Sequence, residues 1–126
     1  MISKDLLKTM ATILDSKKAQ DIKAINISSL SILADYFLLA TGTSTTQVKS
    51  LADEVEFKLK QQGIMPQRIE GYNSGSWILL DYGDVVVHVF LKDTRSFYSL
   101  EHLWVDAEQV GYDDLMKDET ATETAE

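Results

Sequence analysis

A chain of 126 residues suits a single domain, and its 44% hydrophobic and 25% charged residues match an ordinary globular composition and argue against global disorder. Its formal net charge of -8, from 20 Asp and Glu against 12 Lys and Arg, disfavours primary binding to nucleic acid phosphates or anionic lipid. The absence of cysteine removes disulfides, thiolate nucleophiles and thiolate metal sites. No apolar run approaches the roughly 18 residues of a membrane span, and Met1-Ile2-Ser3-Lys4-Asp5 lacks a signal pattern, so a cytoplasmic protein is expected.

Leu6, Leu7, Met10, Ile13 and Leu14 recur at helical spacing after a possible cap at Ser3, which predicts a first amphipathic helix. A strand is expected over Asp21 to Ile27, and a buried central strand over the apolar run Tyr36 to Ala40. Ser44 followed by Gln47 fits a capping box, after which Val48, Leu51, Ala52, Val55 and Leu59 build one helical stripe. Gly63 and Pro66 close that helix. Short strands are expected at Gln67 to Glu70, Trp77 to Asp81 and Asp84 to Leu91, with a polar turn between Gly71 and Ser76. Thr94 could cap a last helix carrying Phe97, Leu100, Leu103 and Trp104. The pattern predicts an α/β domain, a mixed sheet covered by helices, in an order these patterns leave open.

The most informative stretch is the expected hairpin around Tyr82-Gly83. A two-residue turn there would pair Asp81 with Asp84, Leu80 with Val85 and Trp77 with His88. One face is then wholly aliphatic (Ile78, Leu80, Val85, Val87, Val89, Leu91) and the other is Trp77, Leu79, Val86, His88 and Phe90, ending at the aspartates. The second face mixes apolar bulk with polar handles, as a second covering layer or a recognition surface would. Two facing carboxylates repel unless a cation neutralises them, so Asp81 and Asp84 are either exposed turn formers or an acidic rim for a Lys/Arg-rich partner. Trp77 is correspondingly a core residue or an interface anchor.

Catalytic motifs are weak by comparison. The Ala40 to Thr46 segment could cradle a phosphate at a helix start, but it lacks the spaced glycines and Lys of a phosphate-binding loop, and a turn plus helix cap explains it. His88 and His102 show no metal spacing, no Gly-x-Ser-x-Gly elbow occurs, and Lys17-Lys18 and Lys58-x-Lys60 are too short for a nucleic acid patch. No cofactor or metal is expected.

The string Asp35-Tyr36-Phe37 through Thr41-Gly42-Thr43-Ser44, with Gln47-Val48 and Ala52-Asp53-Glu54, opens a longer pattern. It continues through Glu70-Gly71, Trp77-Ile78-Leu79-Leu80-Asp81-Tyr82-Gly83-Asp84-Val85-Val86-Val87-His88 and Tyr98-x-Leu100-Glu101-x-Leu103-Trp104. Taken together, from about Leu6 to Trp104, this pattern closely resembles the ribosome silencing factor (Iojap) family. The resemblance implies a fold related to nucleotidyltransferases, a homodimeric tendency, and binding to ribosomal protein L-fourteen on the intersubunit face of the large ribosomal subunit. A protein there would obstruct joining of the small subunit and repress translation by occupancy alone. The expected partner-binding residues are Trp77, Leu79, Asp81, Tyr82, Asp84 and His88.

The competing expectation is a metal-dependent nucleotide enzyme using Thr43, Ser44, Asp81 and Asp84. Active nucleotidyltransferases resemble this layout with a Gly-Ser helix start and two carboxylates alternating on one strand face. Here Gly42 is followed by Thr43 and Ser44, and Asp84 by Val85 and Val86, so the second carboxylate is missing and a non-enzymatic binding protein is the preferred reading.

The charge is unevenly placed. Residues 106–126 hold eight acidic groups and one basic group, whereas residues 1–105 hold 12 acidic against 11 basic. The expected division is therefore a folded domain over 1–105 and an acidic, flexible tail over 106–126.

Overall fold

The computed structural model describes residues 3–32, 34–94 and 107–117. Helix α1 (Ser3–Ser16) precedes strands β1 (Gln20–Asn26) and β2 (Tyr36–Gly42). Helix α2 (Thr45–Lys60) then leads to β3 (Arg68–Glu70), β4 (Trp77–Asp81), β5 (Val85–Leu91) and β6 (Glu108–Gly111). The strands form one sheet in the order β3-β4-β5-β2-β1-β6, antiparallel except for the central β2–β5 pair. This is the expected mixed α/β architecture.

Both helices lie on the same face of the sheet. Leu6, Leu7, Met10 and Leu14 of α1 and Val48, Leu51, Val55 and Leu59 of α2 join Leu38, Ile78, Leu80, Val85, Val87 and Val89 of the strands in the main core. The ends of α2 follow local chemistry. Ser44 Oγ accepts the Gln47 N–H at 3.1 Å, and Gln47 Oε1 reaches back to the Thr43 N–H at 2.7 Å. At the other end Gly63 turns with φ +78, and the Ile64 N–H closes on the Leu59 carbonyl in a Schellman-type cap. Ser3, the candidate cap of α1, is already helical, and its hydroxyl donates instead to Asp35 Oδ2 at 2.6 Å.

Three further expectations about the elements need correction. The hairpin pairs Asp81 with Val86, Leu79 with His88 and Trp77 with Phe90, two residues out of the expected register, and its loop is Gly83-Asp84. Tight hairpin turns require positive φ at their first loop position. Gly83 supplies φ +85 there, whereas Tyr82 would be strained by it. A shift of two leaves every side chain on its expected face.

The second correction concerns the tail. Instead of leaving the fold after residue 105, Glu108–Gly111 pairs antiparallel with β1, residues 112–117 turn into a helix, and Leu115 is buried in the main core. Val110, Tyr112 and Met116 pack beside it, an apolar set hidden within an acidic composition. Third, Thr94 is itself helical within a turn that starts at Lys92, so it is not a cap. Phe97, Leu100, His102, Leu103 and Trp104 lie outside the described residues.

Candidate partner-binding face

Because side chains alternate along a strand, the sheet has a second face that neither α1 nor α2 covers. Register places Trp77, Leu79 and Asp81 of β4 there beside Phe90, His88 and Val86 of β5, and these beside Thr41, Leu39 and Phe37 of β2. Its centre is closed: Ile25, Leu39 and Phe90 are at most 1% exposed and pack with Ile27 and Ala34. Toward β4 the face opens. Leu79, Val86 and Phe37 are half-buried and line a groove of about 410 Å³, with His88 in its wall and Arg68 and Asp81 at its rim; Trp77, also half-buried, does not line the groove but stands next to its wall residue His88.

Trp77 is held from several sides. Its Nε1–H donates to His88 Nδ1 at 3.0 Å, and its ring lies 4.9 Å from that of Phe90. Gly71 passes behind it with φ +78, where a Cβ would stand 2.1 Å from the Trp77 carbonyl oxygen, so only glycine fits. His88 is 4% exposed, with Phe37 edge-on at 4.8 Å and Phe90 stacked at 6.1 Å. Burial pushes its pKa down to about 4, so the ring is neutral at pH 7. Since an indole N–H can only donate, Nδ1 is the acceptor and the ring proton sits on Nε2. That buried Nε2–H has no partner among the described residues.

The two aspartates part company. In the observed register Asp81 lies opposite Arg68 of β3, and Arg68 Nε stands 3.3 Å from Asp81 Oδ2 and 3.1 Å from Glu70 Oε2. Asp81 Oδ1 also accepts the Gly83 N–H at 2.8 Å. Asp81 therefore meets a cation of its own chain and does not oppose Asp84. Asp84 is exposed in the loop, where its main-chain carbonyl accepts the N–H groups of Asp35 and Tyr36.

Tyr82 does not belong to this face. It shares the parity of Ile78 and Leu80, lies against the main core at 9% exposure, and buries a hydroxyl that has no partner among the described residues. Burial, aided by the charge of Glu56, pushes its pKa up to about 12. The structure thus gathers Trp77, Leu79, Asp81 and His88, leaves Asp84 at the edge and removes Tyr82. Phe37 and Arg68 are additions. Phe37 sits in an unbroken apolar run whose parity cannot be read locally, whereas the alternation around Arg68-Ile69-Glu70 could have flagged Arg68.

The residues of the competing enzyme reading are not brought together. In the parallel β2–β5 pair, Tyr36 aligns with Val85 and Gly42 with Leu91. Thr43 and Ser44 therefore stand at one end of the strands and Asp84 at the other, about 20 Å apart at ~3.3 Å per residue. The start of α2 is moreover occupied by its own capping groups: the Thr43 N–H and hydroxyl both go to Gln47 Oε1, and the Gln47 N–H goes to Ser44 Oγ. Among the described residues no cluster of three His, Asp or Glu side chains is placed to hold a metal ion. No described helix is long and apolar enough to cross a membrane.

The family model "Ribosomal silencing factor during starvation" matches residues 2–126. The chain is 46% identical over 107 residues to the ribosomal silencing factor RsfS of Bacillus subtilis, covering 85% of this chain and 91% of the relative. It is 44% identical over 110 residues to that of Halalkalibacterium halodurans, covering 87% and 94%. A crystal structure of a Chromobacterium violaceum protein superposes with a TM-score of 0.80 at 41% identity, covering 82% of this chain and 87% of that one.

Proposed function

Because this chain belongs to the ribosomal silencing factor family, we propose that it represses translation by binding the large ribosomal subunit through ribosomal protein L-fourteen. Bound there, it blocks association of the small subunit. The observation that carries this reading is the half-buried strip of Trp77 and Leu79, of which Leu79 lines a groove, on the sheet face that neither α1 nor α2 covers. A large, half-buried aromatic held by its neighbours is the composition of an interface anchor. Asp81 at the rim, with Glu70 beside it on the shared Arg68 and the exposed Asp84 in the adjoining loop, gives a local excess of negative charge suited to a basic protein surface and unsuited to RNA phosphates. Occupancy alone accounts for silencing, so no reaction, metal or cofactor is required. The protein acts in the cytoplasm, as a homodimer.

Sedimentation with separated ribosomal subunits tests this directly. Co-migration with the large subunit, and loss of subunit joining when the protein is added first, are expected. Trp77→Ala should weaken large-subunit binding by some thirtyfold, the equivalent of about 2 kcal/mol, without unfolding the chain. Failure of the wild-type protein to co-migrate with large subunits would sink the proposal. Sedimentation equilibrium of the free protein checks the dimer.

A further inference from the structure

His88 presents a puzzle of composition. It sits on a sheet face among Phe37, Leu39, Val86 and Phe90, where an aromatic hydrocarbon would pack as well and would avoid burying polar nitrogens. Its Nε2–H has no acceptor among the described residues, and its one hydrogen bond there is the one that Nδ1 accepts from Trp77. What the imidazole does that phenylalanine could not do is hold the indole. At 4% exposure His88 is also too enclosed to contribute contact area to a partner.

We infer that His88 is a positioning residue: its Nδ1 fixes the orientation of the half-buried Trp77 indole on this sheet face, and partner affinity depends on His88 although His88 does not itself touch the partner. The inference rests on the reading that the Trp77 face docks on the large subunit. Two observations support the geometry. The indole is clamped between the Nδ1 bond on one side and the Phe90 ring at 4.9 Å on another. The imidazole in turn is set by Phe37 edge-on at 4.8 Å, so its orientation is itself packed and does not rotate freely. Orienting an anchor before binding removes the entropy cost of freezing it at the interface.

The experiment combines nuclear magnetic resonance of the intact protein with large-subunit binding. Long-range nitrogen–proton correlations of the imidazole, identified by their loss in His88→Gln, should show the tautomer protonated at Nε2. The indole N–H signals arise from Trp77 and Trp104, and Trp77→Phe identifies the first. In His88→Phe the Trp77 signal should shift upfield and exchange faster with solvent, and large-subunit affinity should fall about tenfold while circular dichroism stays native. His88→Gln, whose amide oxygen can accept from the indole, should recover part of both losses.

A wild-type tautomer protonated at Nδ1, or a folded His88→Phe with unchanged indole signal or unchanged affinity, would overturn the inference. The two readings separate cleanly. Unchanged affinity in both Trp77→Ala and His88→Phe condemns the docking face, whereas unchanged affinity in His88→Phe alone condemns the positioning role. Should His88→Phe fail to fold, the tautomer and the His88→Gln affinity decide.

Discussion

Tyr82, just after β4, and His88 of β5 face opposite sides of the sheet, one the helices and the other the groove, and each buries a polar atom without a partner among the described residues. A buried hydroxyl left unbonded costs about 1–3 kcal/mol, so Tyr82→Phe should stabilise the fold by roughly 1 kcal/mol, read as a higher urea midpoint at unchanged slope. A destabilised Phe variant would mean that the hydroxyl has a partner. His88 predicts a pH dependence of definite sign. Its folded pKa of about 4 lies below the ordinary 6.5, so between those values the unfolded chain binds a proton that the folded one refuses. The contribution of His88 is fully present above pH 6.5 and is lost as pH falls toward 4, by about 3 kcal/mol in all. Denaturation curves at pH 7 and pH 4.5 should therefore diverge more for the wild type than for His88→Phe, which lacks the group.

At the scale of elements, legibility depended on how local the determining interactions are. Helix α2 could be read because Ser44, Gln47, Gly63 and Pro66 punctuate it and one stripe runs between them. The faces of β4 and β5 could be read because alternation survives a register shift of two. The register itself could not, since it depends on which residue accepts positive φ, and Tyr82-Gly83 and Gly83-Asp84 are equally short loops. Strand β6 escaped for a different reason: its partner β1 lies near the other end of the chain, and its acidic residues point toward disorder on composition alone. That element makes a sharp prediction. Leu115 is 3% exposed in the main core, so Leu115→Ala should cost about 2–4 kcal/mol, measured by thermal or urea unfolding. An effect within experimental error would restore the view that the fold ends before residue 106.

For the molecule as a whole, the candidate site was legible in its residue types but not in its assembly. Trp77, Leu79, Asp81 and His88 were identified from one hairpin, yet the groove also requires Phe37 from β2 and Arg68 from β3, which only the strand order brings near. The same order explains why the net charge of -8 describes the candidate face poorly. Arg68 offsets part of this charge by pairing with Glu70 and Asp81, leaving steering chiefly to the exposed Asp84. Asp84→Lys should accordingly slow association with large subunits several-fold at low salt and leave dissociation nearly unchanged, an effect that fades as ionic strength rises. Surface plasmon resonance over a salt series separates the two rates. A change confined to dissociation would place Asp84 within the contact itself.

The pairing of β6 with β1 also sets a timetable. Synthesis delivers β1 early, whereas the strand that protects its outer edge is translated only near the end of the chain. Until then the growing polypeptide carries an open edge with backbone N–H and C=O groups available to any other strand. Prematurely terminated fragments ending before Glu108 would keep that edge for good. Such fragments are expected to aggregate where the full chain stays monodisperse, a difference visible by light scattering, and their removal would fall to chaperones and proteases.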